Sequence, residues 1–380
     1  MVGEAEGGAS AEEAGRSLWG ARVAVRAELR PPPGSARESS EEEEGGWELA
    51  EGRRLRPPAL LAPVPVVAPL TTLVAALRPA LEPYLPGAGP YELWLSTGAE
   101  AVPLRWHCPA GVIFDLFGGP TSSPSPCSGA GAGADPGVVL WEVGVHCGGL
   151  PRGELLPFGG GLGPRDYYFN AMKEAAFVLH GSSAGVQSLL EPARAALWGA
   201  ASEGDREAHG AALRAAKLSV ALAGAAAPGG GAGGGARPPS TRVPVRAYLA
   251  PASPEARGGA PIPLTGGWGA VECVTVALEV LHTGEGGGAA GEPGDGLPPP
   301  VSSTSSGDEG GRAAPFVAAL SHALGLRPGV QSEPGFRVVV GGVEIPPAAE
   351  VAWVYSALHF PDLWLHVTVW VPPAAPALAE

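Results

Sequence analysis

Lysine is almost absent from this 380-residue chain: of its 24 basic residues only Lys173 and Lys217 are lysines, and the rest are arginines. Where positive charge alone is needed Arg serves, and its guanidinium does not deprotonate in practice. A nucleophilic primary amine has to come from Lys, so these two positions are the first candidates for amine chemistry. The plain alternative is biased composition with two survivors. Cysteine is scarce as well. Cys108, Cys127, Cys147 and Cys273 include no CxxC pair, which removes the usual zinc-ribbon signature. The pairs His107-Cys108 and His146-Cys147 fall in segments that alternation partly buries, so they are read as core thiols with no metal and no cofactor.

Other absences narrow the function. The formal charge is −14 and the chain has no basic cluster, which argues against a nucleic-acid binder. The first 17 residues are acidic and lack an apolar core, so no secretory signal is expected and a reducing, cytoplasmic compartment is predicted. Residues 59–77 carry no charge, but Pro63, Pro65 and Pro69 interrupt them, so no membrane-spanning helix is expected. The glycine runs at 229–231 and 233–235 are followed by no GK[ST] and are no phosphate loop. No Ser/His/Asp set shows a nucleophile elbow.

What is present is segregated. There are 59 glycines and 43 prolines, yet 45% of the residues are hydrophobic and ten are Trp, too many for a chain that never folds. Gly, Pro, Ser and Glu gather in inserts at about 30–57, 118–137 and 283–311. The acidic run Glu41 to Glu44 reads as a solvated segment.

Between the inserts, residues 21–29 alternate, with Val23, Val25, Ala27 and Leu29 on one face. A strand near 60–67 follows, then a helix opened by Thr71 or Thr72 and striped by Leu73, Leu77 and Leu81. Residues 91–96 and 102–107 read as strands, 109–117 as a short helix, and Val139, Trp141, Val143 and Val145 as another strand. Two strands, a helix and more strands is the order of a β-grasp. Residues 165–222 show helical spacing instead: Phe169, Met172, Ala176, Leu179; then Leu189, Leu190, Ala195, Trp198; then Leu213, Ala216, Val220. After a linker at 223–240 the first pattern returns, from Val243 to Leu249, through 271–280, the helical stripe Phe316, Leu320 and Leu324, the strand Phe336 to Val340, a short helix at Val351 to Leu358, and a closing strand from Leu363 to Val371. The predicted class is α+β. Two ubiquitin-like β-grasp domains, 17–158 and 241–373, flank a helix-rich domain at 165–222.

Several blocks carry a family resemblance. Pro103-Leu104-Arg105-Trp106-His107-Cys108-Pro109, continuing Gly111-Val112-Ile113-Phe114-Asp115-Leu116, resembles the PLKWHxPxGLLFDL block of the autophagy protein 5 family. Ala171-Met172-Lys173-Glu174-Ala175 is similar to its xMKEA acceptor segment, and Leu197-Trp198 fits its middle helical region. Val340 to Pro346 and His359 to His366 resemble its HGIEP and YPDxFLH elements. Leu18 to Val23 resembles its first strand more loosely. The blocks occur in the family's order.

The resemblance implies a non-catalytic conjugation scaffold. Lys173 would receive the C-terminal glycine of the ubiquitin-like autophagy protein 12 in an isopeptide bond. The conjugate would bind a helix of autophagy protein 16, engage the autophagy protein 8 conjugating enzyme, and stimulate transfer of autophagy protein 8 to phosphatidylethanolamine at the phagophore membrane. An ordinary Lys is uncharged in only about one molecule in a thousand at neutral pH, so the acceptor amine needs orientation and a route for its proton. On a helix, Phe169, Asn170, Ala176 and Phe177 surround Lys173 and none is a carboxylate, so no ion pair within the helix fixes the ammonium. The same test passes Lys217, with Leu213 and Ala221, and only the motif separates the two. Two other readings stay open: an enzyme using Lys173 as a Schiff-base nucleophile, and a ubiquitin-like adaptor whose Lys173 is unmodified. Trp106, Trp198, Trp353 and Trp364 are read as core residues, Asp115 and His107 as core-edge groups, and Gly341-Gly342 as a positive-φ turn.

Overall fold

A computed structural model describes residues 11–30, 47–48, 54–55, 58–85, 92–97, 101–118, 140–156, 163–218, 241–252, 264, 267–280 and 315–373. The expected linker at 223–240 and the insert at 283–311 lie outside these residues, as do the insert at 118–137 beyond Gly118, most of the insert at 30–57, and Cys127.

The chain enters through α1 (Ala11–Gly20) and passes into β1 (Arg22–Arg30). A two-residue hairpin follows, β2 (Trp47–Glu48) and β3 (Arg54–Leu55), then β4 (Leu60–Pro65), α2 (Thr71–Leu81), β5 (Leu93–Thr97), β6 (Val102–Pro103), α3 (Ala110–Phe117) and β7 (Leu140–Cys147). In β1 the apolar residues Val23, Val25, Ala27 and Leu29 are buried, while Arg26 and Glu28 face out and pair with each other at 2.9 Å. This is the period of two that a half-buried strand shows. The sheet order is β4-β1-β7-β5-β6, with β1 antiparallel to β4 and parallel to β7. The first and last strands therefore lie side by side at the centre, and α2 and α3 cross between the edges.

The helical unit contains α4 (Pro164–His180), α5 (Ala184–Gln187), α6 (Glu191–Glu203) and α7 (Arg206–Ala215). The remaining elements are β8 (Thr241–Pro251), β9 (Glu272–Val280), α8 (Phe316–Ala323), β10 (Arg337–Val340), β11 (Val343–Glu344), α9 (Val351–Leu358) and β12 (Leu365–Val371). Their sheet runs β9-β8-β12-β10-β11, with β8 antiparallel to β9 and parallel to β12. Strand for strand this is the first order again. The fold is thus α+β, two ubiquitin-like β-grasp units with a helical unit between them in sequence.

The two sheets are locked together by side chains from loops. Trp268 donates its indole N–H to the Pro103 carbonyl at 2.6 Å, lies 4.4 Å beneath the Arg105 guanidinium and meets Phe117 edge-on at 4.9 Å. The turn between β10 and β11 is Gly341-Gly342, with φ of 53° and 86°, as expected for a two-residue hairpin loop of the primed kind. It abuts α3, where the Gly342 N–H donates to the Asp115 carboxylate at 3.2 Å.

Several boundaries differ from the sequence reading. Leu18 to Gly20, aligned by resemblance with the first strand, end α1, and the strand starts at Arg22. The helix is held because Leu18 and Trp19 are buried and because Gly15 lets α1 lie against α9: a Cβ there would sit 2.7 Å from the Ala357 carbonyl oxygen. The strand expected over 102–107 stops at Pro103. Leu104 still donates to Leu95 at 2.8 Å, after which the chain turns to bury Trp106, whose N–H reaches the Leu156 carbonyl at 2.7 Å. Leu190 precedes the second helix and is exposed, since Pro192 sets the helix start just behind it. The third helix ends at Ala215, with Lys217 in a left-handed conformation at φ 55°, and Val220 lies outside the described residues. Of the thiols, Cys108 and Cys147 are buried, but Cys273 is exposed on the edge strand β9. Trp106 and Trp364 are core residues, whereas Trp198 and Trp353 are only partly buried.

Candidate functional site

Lys173 lies at the middle of α4, the longest helix among the described residues. Its start is fixed by Pro164 in the first turn and by the Asp166 carboxylate, which accepts from the Gly163 N–H at 3.3 Å. Its end is Gly181 at φ 70°, the left-handed cap that glycine takes without strain. Between these ends Phe169, Met172, Ala175, Ala176 and Leu179 are buried, and Asn170, Glu174 and Phe177 are exposed. Lys173 stands on the boundary of the two faces, half-buried along its stem.

The helix is held by the second sheet. Trp364 donates its indole N–H to the Ala171 carbonyl at 2.8 Å. Arg246 of β8 stacks its guanidinium 4.3 Å over the Trp364 ring and lies 2.6 Å from the Glu174 carboxylate. The Tyr168 hydroxyl donates to the Pro361 carbonyl at 3.1 Å and lies 3.0 Å from His209 Nε2 of α7. Beneath Arg246, Asp362 and His366 pair at 3.0 Å, and His366 Nδ1 lies 3.0 Å from the Tyr248 hydroxyl. Burial alone would raise the Asp362 carboxyl, but His366, Arg246 and the Trp364 N–H together bring it below its ordinary value. On its other side α4 meets the first sheet's loops. Tyr167 packs on His107 and Trp106, with ring centroids 4.8 and 5.9 Å apart.

At Lys173 itself the amine donates to Asn170 Oδ1 at 3.1 Å. Among the described residues no carboxylate pairs with it. Glu174, its chain neighbour, points away to Arg246. Phe169 is covered by Arg194 at 4.5 Å, while Phe177, 61% exposed, forms an open apolar step one turn beyond the lysine. Lys217 has a different setting. It is exposed just past the end of α7, where its N–H closes the helix onto the Arg214 carbonyl, and a cation there complements the helix dipole.

The structure thus sets the two lysines in different surroundings, Lys173 within α4 and Lys217 beyond the end of α7. The sequence reading missed Arg246 as part of the setting of Lys173. In the fold the Arg246 side chain lies against α4 and is 15% exposed, whereas that of Arg242 on the same strand stays 60% exposed. It named Asn170 only as an uncharged neighbour. Helical spacing of three was the available signal. Among the described residues no group of three or more His, Cys, Asp or Glu side chains could hold a metal ion, and no helix is long and apolar enough to cross a membrane. An open groove of about 770 Å³ lies between α1 and α7, lined by Arg16, Trp19, Arg206, His209 and Leu213 among others, and Lys173 does not line it.

Three family models match the chain in sequence order, and together they cover more than half of it. They are described as the UblA domain of autophagy protein ATG5 over residues 50–147, its alpha-helical bundle region over 164–211, and its UblB domain over 300–369. The chain is 31% identical over 166 residues to autophagy protein 5 of Aspergillus fumigatus, covering 39% of this chain and 47% of that protein. It is 33% identical over 117 residues to that of Emericella nidulans, covering 30% and 34%, and 26% identical over 153 residues to that of Arabidopsis thaliana, covering 40% of each. The matches therefore span about a third to a half of these curated relatives. In fold it is similar to the crystal structure of Kluyveromyces marxianus Atg5, with a TM-score of 0.52 and 16% identity over 94% of this chain and 99% of that one. With both ubiquitin-like units and the helical unit matched in order, the chain belongs to the autophagy protein 5 family.

Proposed function

We propose that the chain is a conjugation scaffold of autophagy whose Lys173 accepts autophagy protein 12 through an isopeptide bond. The observation that carries the reading is the state of the amine. It sits at the edge of a helix anchored on both sides, bonded to a neutral oxygen and paired with no described carboxylate, within the Met172-Lys173-Glu174-Ala175 segment. A rigid platform presents the amine at a fixed place, and orientation is a large part of what an acceptor contributes to acyl transfer. The conjugate then docks a helix of autophagy protein 16 and acts with it as a ligase-like platform for lipidation of autophagy protein 8, peripheral to the phagophore membrane in the cytoplasm. In this reading the chain has no catalytic group of its own.

A Schiff-base enzyme needs an enclosed apolar pocket around the lysine. Against that reading, the Lys173 amine is exposed, and it lines neither the groove between α1 and α7 nor the smaller hollows beside Tyr167 and Asp115.

The test is a denaturing gel of the chain expressed in its own cells, as wild type, Lys173→Arg and Lys217→Arg. A band raised by one small ubiquitin-like protein is expected in wild type and in Lys217→Arg, and not in Lys173→Arg. A raised band that survives Lys173→Arg overturns the assignment.

A further inference from the structure

Resting on the reading of Lys173 as acceptor, we propose that Asn170 is a positioning residue for the transfer: its carboxamide oxygen holds the lysine amine in place through a neutral acceptor. The Nζ–Oδ1 distance is 3.1 Å, and the two residues are one helical turn apart. A carboxylate at that position would restrain the amine equally well but would favour its charged, non-nucleophilic form. An amide oxygen gives the restraint without the charge.

Two further observations support a purpose for Asn170. Asn is a poor residue for a helix interior, because its side chain competes for backbone hydrogen bonds. Here it is exposed, and its side-chain partner among the described residues is Lys173. The second is the fate of Glu174. This acid adjoins Lys173, yet it is paired with Arg246 at 2.6 Å and not with the lysine. One residue supplies a neutral partner while another removes the competing carboxylate.

In the transfer the uncharged amine attacks the thioester carbonyl carbon of the charged conjugating enzyme. The C–N bond forms, the C–S bond breaks, and sulfur leaves as the enzyme's thiolate. Starting from the ammonium, two protons are lost: one goes to the thiolate and one to solvent. A lysine stem has several rotatable bonds, and fixing its end beforehand removes part of the entropy lost on reaching the transition state.

The experiment measures single-turnover transfer from a conjugating enzyme pre-charged with the modifier, between about pH 6 and 10, a range that brackets the approach to lysine deprotonation. The full chain is used as wild type, Asn170→Ala, Asn170→Gln, Asn170→Asp and Lys173→Arg. Asn170→Ala is expected to slow transfer about tenfold at every pH, the loss of one orienting contact, with no fall in thermal stability because Ala is the better helix former. Asn170→Gln should restore part of the rate. Asn170→Asp should be slow near neutrality and move the pH–rate profile about one pH unit alkaline, because the carboxylate retains the proton on the amine. Wild-type rates and profiles for Asn170→Ala and Asn170→Asp, with Lys173→Arg inactive, would overturn the role of Asn170 and leave the acceptor intact. Equal slowing in both variants with no displacement of the profile would assign Asn170 a merely structural part and overturn it also. Undiminished conjugation of Lys173→Arg would overturn the acceptor reading and this inference with it.

Discussion

The Glu174 carboxylate lies 2.6 Å from the Arg246 guanidinium, joining the helix that carries Lys173 to the first strand of the second ubiquitin-like unit. The two partners differ in burial: the Arg246 side chain is 15% exposed and that of Glu174 62%. An ion pair with one end in water contributes little to stability, about 0–1 kcal/mol. Arg246 contributes more through its stem and through its stacking on Trp364.

From this asymmetry, Glu174→Gln should lower unfolding stability by less than about 1 kcal/mol. Arg246→Ala should lower it by roughly 1–3 kcal/mol, through lost stacking and packing. Urea unfolding of the two variants decides the matter. Equal losses would mean that the ion pair, not the stack, fixes α4 to β8.

Asp115 should make the fold sensitive to pH. Burial pushes its carboxyl up to about 7, and the Gly342 N–H, the Arg337 charge and the Gly341 N–H only partly oppose this. An Asp in the unfolded chain releases its proton near pH 4. Between about pH 4 and 7 the folded state therefore binds the extra proton, and stability falls as pH rises. An asparagine in its place would keep an acceptor for Gly342 and would not ionise. Asp115→Asn is expected to exceed wild type by roughly 1–3 kcal/mol near pH 8 and to match it near pH 4. A variant less stable than wild type at pH 8 would show that the ionised carboxylate is the form the Gly341-Gly342 turn requires.

Two histidines tilt the balance the other way. Burial, with added repulsion from Arg105 and Arg246, holds His107 down at about 4, and burial with repulsion from His359 holds His209 down at about 3. Both are neutral in the fold where the unfolded chain would bind protons, so their contribution is present above about pH 6.5 and is lost as pH falls towards these values. Over the same interval Asp115 acts with the opposite sign. The prediction is a shallow optimum in wild type, measured as melting temperature against pH. His209→Gln, which leaves a polar group beside the Tyr168 hydroxyl, should flatten the acid limb. Asp115→Asn should steepen it.

The succession of strands along the chain could be read from alternation because burial imposes a period of two, as in Val23, Val25, Ala27 and Leu29. The duplicated architecture followed from seeing that pattern twice. The setting of the lysine was legible only along its own helix. Asn170 and Phe177 are fixed by helical spacing, but Arg246 lies 72 residues from Glu174 and meets it through the packing of α4 on β8. No local pattern reports such a contact. The same holds for α1, whose ten residues carry few apolar groups and are fixed by burial of Leu18 and Trp19 and by an Arg206 hydrogen bond to the Glu12 carbonyl at 2.9 Å. Leu104 to His107 failed for a related reason: the demand to bury Trp106 outweighed local strand propensity.

The two glycines of the β10–β11 turn should respond differently to the same substitution. Both have positive φ, 53° at Gly341 and 86° at Gly342, so any side chain is strained at either. A Cβ at Gly342 meets nothing within 4 Å, and Gly342→Ala should cost about 1 kcal/mol from backbone strain alone. At Gly341 a Cβ would lie 2.6 Å from the Leu18 side chain and 2.8 Å from that of Val66. These residues come from α1 and from the segment after β4, so the clash presses on the seam between the two ubiquitin-like units. Gly341→Ala should therefore cost roughly 2–4 kcal/mol, overpacking added to strain. Its effect should appear as looser packing between the units, seen as faster amide exchange in α1 and α3, whereas Gly342→Ala should leave exchange there unchanged. If the two variants lose equal stability and exchange alike, the turn is strained but does not fill the seam.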